Sequence, residues 1–147
     1  MYMLEIYSAG FRDEIAFLLK LQESMPSFSI EKTRGKYASL DYVIKHGKTE
    51  TPFLFMELKS RNIDLSKYDT LLMGRIKLEN VVNVKQHIIL IWICKTTETL
   101  YYRFYHKNLL DLKTHMLNGK RVVYINKRLC STGYDNLIRE IRECGEL

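Results

Sequence analysis

Glu57 and Lys59 stand two residues apart at the end of an otherwise apolar run, Phe53-Leu54-Phe55-Met56-Glu57-Leu58-Lys59. In a strand that spacing turns both side chains to one face, with Phe53 and Phe55 as face-mates. A charge buried there without compensation costs several kcal/mol, so each group needs a partner. One ordinary solution is a strand end near solvent, where the two pair with whatever is close. Asp41 offers another. It lies sixteen residues upstream, within Ser39-Leu40-Asp41-Tyr42-Val43-Ile44. Antiparallel pairing of 39–46 with 53–59 would bring it beside Glu57. Two carboxylates held that close repel unless a cation sits between them. A hard divalent ion such as Mg²⁺ or Mn²⁺ suits them, because it takes oxygen ligands, keeps waters and shares sites with phosphates. Lys59 would then stabilise charge developing on a phosphate or orient an attacking water. Glu14 is a third carboxylate. Its helical neighbours are Phe11, Leu18 and Leu21, so it faces near an apolar stripe. It either reaches water at the stripe's edge or points over the sheet toward Asp41 and Glu57.

The elements that must position these groups follow from periodicity. Residues 11–24 predict an amphipathic helix through Phe11, Ile15, Leu18 and Gln22, with Leu19 widening the stripe and Pro26 stopping it. Residues 27–38 predict a loop or short extended piece. Residues 39–46 and 53–59 predict a β-hairpin across a Gly-, Lys- and Thr-containing turn. Helical spacing extends over 66–83, with Gly74 inside it. The most apolar run, 87–95, predicts a buried central strand, paired with a strand over 99–105. Residues 107–117 predict a helix, 121–126 a strand and 134–143 a closing helix. The expected order is α-β-β-α-β-β-α-β-α: a single α/β domain over 1–147, with a central mixed sheet flanked by helices.

Charge sharpens the picture. The chain has 147 residues and a formal net charge of +6. Residues 1–31 are net −3, residues 32–128 net +11 and residues 129–147 net −2. The basic middle is either a solvated lysine-rich face or a phosphate-facing surface. Cys94, Cys130 and Cys144 are odd in number and widely spaced, which argues against a disulfide scaffold and a C-x-x-C zinc site. His46, His87, His106 and His115 show no ligand spacing either. No apolar run is long enough to span a membrane, and the N-terminal residues do not read as a signal peptide. The expectation is an intracellular protein without a membrane partner. The chain is poor in Ala and rich in Lys, Ile, Tyr and Asn, a bias of AT-rich genomes consistent with a viral or phage source.

Glu14 on the first helix, Asp41 on a strand and Glu57-Leu58-Lys59 on the adjoining strand together resemble the PD-(D/E)xK nuclease superfamily, and the element order over 11–95 is similar to it. Phe55-Met56-Glu57-Leu58-Lys59-Ser60-Arg61 resembles its second motif. The spacing is also similar to small Holliday junction resolvases of the archaeal type. Ser39-Leu40-Asp41 departs from the proline–aspartate that names the first motif. The resemblance implies a restriction-endonuclease-like core and phosphodiester hydrolysis dependent on Mg²⁺ or Mn²⁺. It implies metal ligation by Asp41, Glu57 and the carbonyl of Leu58, with Lys59 as catalytic lysine and Glu14 as accessory ligand. Arg61 in the motif segment, Arg75 and Lys77 after it, and Arg34 and Lys36 before the Asp41 strand are candidate nucleic-acid contacts. For Arg34, Lys36, Arg75 and Lys77, solvated surface is the plainer reading. The aromatic run Tyr101, Tyr102, Phe104 and Tyr105 is explained by core and rim packing.

The expected partner is nucleic acid, with DNA favoured. A homodimer is a prior only, since the sequence holds no interface signature. Two alternatives stay open. A nucleic-acid-binding or interaction module without turnover would use the basic middle equally well. An RNA endonuclease of the cap-snatching type would be expected to add a histidine, and none has an obvious place beside Glu14.

Overall fold

Residues 53–58 are buried in succession, as a strand covered on both faces requires. They lie in β3 (Pro52–Arg61), which pairs antiparallel with β2 (Tyr42–His46) and parallel with β5 (His87–Cys94). β1 (Phe28–Lys32) extends the sheet beyond β2, while β6 (Thr99–Phe104) and β9 (Ser131–Thr132) extend it beyond β5. The six-stranded order is β1-β2-β3-β5-β6-β9. A second, three-stranded sheet has the order β4-β8-β7, from β4 (Thr70–Gly74), β7 (His115–Leu117) and β8 (Lys120–Asn126). The helices are α1 (Ala9–Ser24), α2 (Arg75–Asn80) and α3 (Tyr134–Cys144). This computed structural model describes residues 9–33, 40–94 and 99–146.

The central sheet divides the core in two. On one side Leu18 and Leu21 of α1 and Leu137 and Ile141 of α3 cover Tyr42, Leu54, Met56, Leu58, Ile89 and Ile91. On the other side Val43, Phe55, Leu90 and Trp92 meet Leu71, Met73, Val123 and Ile125 of the small sheet and Leu78 of α2. The Trp92 indole N–H donates to the Leu72 carbonyl at 2.9 Å and fastens the two sheets together. Gln22, on the inner face of α1, donates to the Met25 and Phe28 carbonyls and accepts from the Ile30 N–H. That explains an amide at an apolar-face position and ties α1 to β1.

The architecture is α/β with a mixed central sheet and three helices, and several local expectations are corrected within it. Residues 66–83 are not one helix. A 3₁₀ turn at Leu65–Lys67 leads to β4, and only Arg75–Asn80 is helical. Leu71 and Met73 alternate into the core and pair with Ile125 and Val123, a partner strand some fifty residues away. Tertiary pairing overrides the local helical spacing. Residues 107–117 are not helical either, beyond a 3₁₀ turn at Lys107–Asp111. That turn is capped by the His106 ring, which accepts from the Asn108 N–H at 3.2 Å. β7 then turns into β8 through Asn118 and Gly119, at φ 51° and 78°. Asn-Gly with both residues at positive φ is the tight hairpin signal. The 27–38 segment contains β1, and residues 34–39 lie outside the described residues. Leu19 does not widen the buried stripe: it is exposed, and Leu21 takes the inner position. Among the described residues no helix is long and apolar enough to cross a membrane.

Candidate functional site

The β2–β3 register, with Tyr42 opposite Met56, brings Asp41 alongside Glu57. Asp41 is held from both ends. Its N–H donates to the Met56 carbonyl at 3.1 Å, and its Oδ2 accepts the Leu58 N–H at 2.7 Å. Its carbonyl accepts from the Thr33 N–H at 3.2 Å. The carboxylate is thus clasped across the strand position of Glu57 by backbone that the sheet has already ordered.

Glu57 is 1 % exposed, and among the described residues neither of its side-chain oxygens has a hydrogen-bond partner. Two ammonium groups approach its Oε1: Lys59 Nζ at 3.5 Å and Lys77 Nζ at 3.4 Å. Burial raises the Glu57 pKa most, and the Asp41 charge raises it further. Lys59 and Lys77 oppose that rise, and the carboxyl is pushed up to about 7. Burial explains the size of the shift, because a buried carboxylate loses water that two partly exposed lysines replace only in part.

Glu14 approaches from α1. The Tyr42 hydroxyl donates to its Oε2 at 3.4 Å. Burial, then the Asp41 charge, raises the Glu14 pKa, with Lys32 and Lys59 opposing. Burial and the charges of Glu14 and Asp41 also push the Tyr42 phenol up. Asp41 is a bend residue immediately before β2, and its charge acts on both Glu14 and Glu57, so it stands electrostatically between the two. Among the described residues no three His, Cys, Asp or Glu side chains gather as one metal-holding group.

The predicted nucleic-acid contacts separate. Lys77 reaches the Glu57 carboxylate, so it belongs to this site. Arg75 donates to the Leu110 carbonyl at 3.1 Å and lies 3.7 Å from Glu79, which Arg121 also meets at 3.1 Å. It fastens α2 to the 107–111 turn. Arg61 ends β3 on the face of Lys59, half-buried, and burial lowers its pKa. Arg34 and Lys36 lie outside the described residues. The role of Tyr42 toward Glu14 and the crossing of Lys77 to Glu57 carry no signal in residue spacing, since both depend on which helix packs on which face.

The donor set fits a hard divalent cation. Asp41 and Glu57 are adjacent oxygen donors, and the Glu57 oxygens are buried without a hydrogen-bond partner among the described residues. Two carboxylates are enough for Mg²⁺, which completes its shell with water and phosphate oxygen. Comparison of the chain with family models, with curated proteins and with solved structures finds no match.

Proposed function

We propose that this chain is a divalent-metal-dependent nuclease with a restriction-endonuclease-like core, hydrolysing phosphodiester bonds of nucleic acid, DNA in preference. The observation that carries the reading is the buried Glu57 carboxyl, without a hydrogen-bond partner among the described residues, beside Asp41 and between two lysines. The order of elements supports it: a helix, the antiparallel meander β1–β2–β3, α2, then β5 parallel to β3.

Asp41 and Glu57, with the Leu58 carbonyl, would hold Mg²⁺ or Mn²⁺. When bound, such an ion polarises a phosphoryl oxygen and makes water a stronger nucleophile. The remaining work falls to the chain. The Leu58 N–H fixes one Asp41 oxygen, so the carboxylate needs no reorganisation on binding. Lys59 offers its ammonium to negative charge that grows on the phosphate. Lys77 offsets the Glu57 charge and helps keep that carboxyl ionised near neutral pH. Glu14, bonded to Tyr42, adds negative potential beside Asp41.

Purified protein with Mn²⁺ or Mg²⁺ is expected to cut or nick DNA, and Glu57→Ala and Lys59→Ala are each expected to abolish cutting. Cleavage that survives both substitutions refutes the assignment. A second reading, nucleic-acid binding without turnover, draws on the same ion cluster: Lys59 and Lys77 already neutralise Glu57 and make a structural triad possible. Calorimetry separates the two. No heat on adding Mn²⁺, together with salt-sensitive DNA binding, favours binding alone.

A further inference from the structure

A large cleft lies away from the carboxylates. It holds about 1110 Å³ at the opposite end of the central sheet, where β2 ends and β3 and β5 begin. Phe53 and Lys59 are six residues apart on β3, so roughly 20 Å separates this cleft from Lys59. Three rings form its wall. His46 and Phe53 lie 4.8 Å apart between centroids, Phe28 and Phe53 5.0 Å, and Phe28 and His46 5.7 Å. Lys48 and Lys85 stand at the rim, both exposed, and among the described residues neither makes an ion pair. Among the described residues that line it none is acidic, and Glu50, exposed in the same turn between Thr49 and Thr51, is the acid next to the rim. Of the nearby α3 acids, Glu140 accepts from the Tyr102 hydroxyl and Glu143 lies 4.0 Å from Arg139, while the charges of both still reach the lining Cys144.

Both walls are held in place. The Gly47 N–H donates to the Ser27 carbonyl at 3.0 Å, and a Cβ at Gly47 would lie 2.8 Å from that oxygen. On α3's side, a Cβ at Gly145 would lie 2.7 Å from the Phe28 ring. The close packing on each side pre-organises the cleft.

We infer that this cleft binds a short unpaired stretch of a nucleic-acid strand. The partly exposed rings of Phe28 and His46, backed by the buried ring of Phe53, form an aromatic wall against which a base can stack, and Lys48 and Lys85 take the flanking phosphates. Stacking on aromatic side chains with a cationic rim is how single strands are held without sequence preference. Paired bases inside a duplex keep their faces on each other, which excludes them from such a wall. The volume exceeds the ~300–1,000 Å³ of ordinary small-molecule pockets, so it accommodates more than one nucleotide unit. The inference shares its class of partner with the nuclease reading and nothing of its chemistry.

The test is fluorescence anisotropy in EDTA, with a labelled eight-residue thymidine strand and a strand of equal phosphate number lacking bases. EDTA silences any cation-dependent cutting, so failure here leaves the nuclease reading standing, and failure of that reading leaves this result standing. The thymidine strand is expected to bind about tenfold more tightly than the base-free one. Lys48→Ala/Lys85→Ala is expected to flatten the log–log salt slope by about 1.4, from ~0.7 per phosphate contact on a single strand. Lys113→Ala/Lys120→Ala, equal in charge change and also exposed, is expected to leave the slope unchanged. Equal binding of the two strands, an unchanged slope in the cleft variant, or the same flattening in the control variant overturns the inference. Displacement by polyglutamate of equal charge as effective as by the thymidine strand also overturns it, because the cleft would then take any polyanion.

Discussion

Replacing Glu57 by Gln tests the electrostatics of the site without any assumption about activity. Glutamine keeps the shape and the polar atoms of the side chain and removes the titration. In the unfolded chain Glu57 ionises near 4.5, and in the folded protein it holds its proton up to about 7. Between those values the folded state carries more bound protons than the unfolded state, so stability falls as pH rises. The loss is absent below pH 4.5 and complete above pH 7. A shift of that size corresponds to about 3 kcal/mol. Urea denaturation followed by circular dichroism, in EDTA, from pH 4 to pH 8, gives the two stability profiles. Wild-type protein is expected to lose about 3 kcal/mol more than Glu57→Gln across that range. Parallel profiles would show that Glu57 does not pay a desolvation cost, and the account of the site would fail. Excess Mn²⁺ at pH 8 is expected to recover stability in wild-type protein by mass action and to recover none in the variant.

Trp92→Phe removes the indole N–H that reaches Leu72 and leaves a void where a fully buried ring had been. It is expected to destabilise the protein by about 2–3 kcal/mol, read from the urea midpoint at constant m-value. Gly47→Ala pushes a Cβ to 2.8 Å from the Ser27 carbonyl oxygen, which belongs to backbone and cannot rotate away. It is expected to cost about 1–3 kcal/mol in the same assay, and a neutral result would mean that the 27–47 contact is slack.

Much of the site is legible in residue types and spacing. The period-2 relation of Glu57 and Lys59 and the hairpin that returns Asp41 to Glu57 need only strand geometry and a turn. Gln22 shows the limit of that approach. Its spacing puts it on the inner face of α1, yet only the chain entering β1 reveals three backbone groups for its amide to satisfy. The failure at 66–83 has the same origin. Leu71 and Leu78 fit a helical stripe, whereas Leu71 and Met73 share a face only in a strand, and the deciding partner, β8, is far along the chain. At 107–117 the decisive signal was present in Asn118-Gly119, whose turn chemistry makes a hairpin of the residues on either side.

Local patterning was enough to mark the central strands, the first and last helices and the alignment of Asp41 with Glu57. A strand's period and a helix's stripe are set by backbone geometry within a few residues. The second sheet, the clamp of Arg75 on Leu110, the arrival of Lys77 at Glu57 and the contact of Glu14 with Tyr42 were decided only by tertiary packing. Each depends on which surface buries against which. That choice is made by apolar area from segments distant in sequence, and hydrogen bonds and charges then settle into the places the packing leaves.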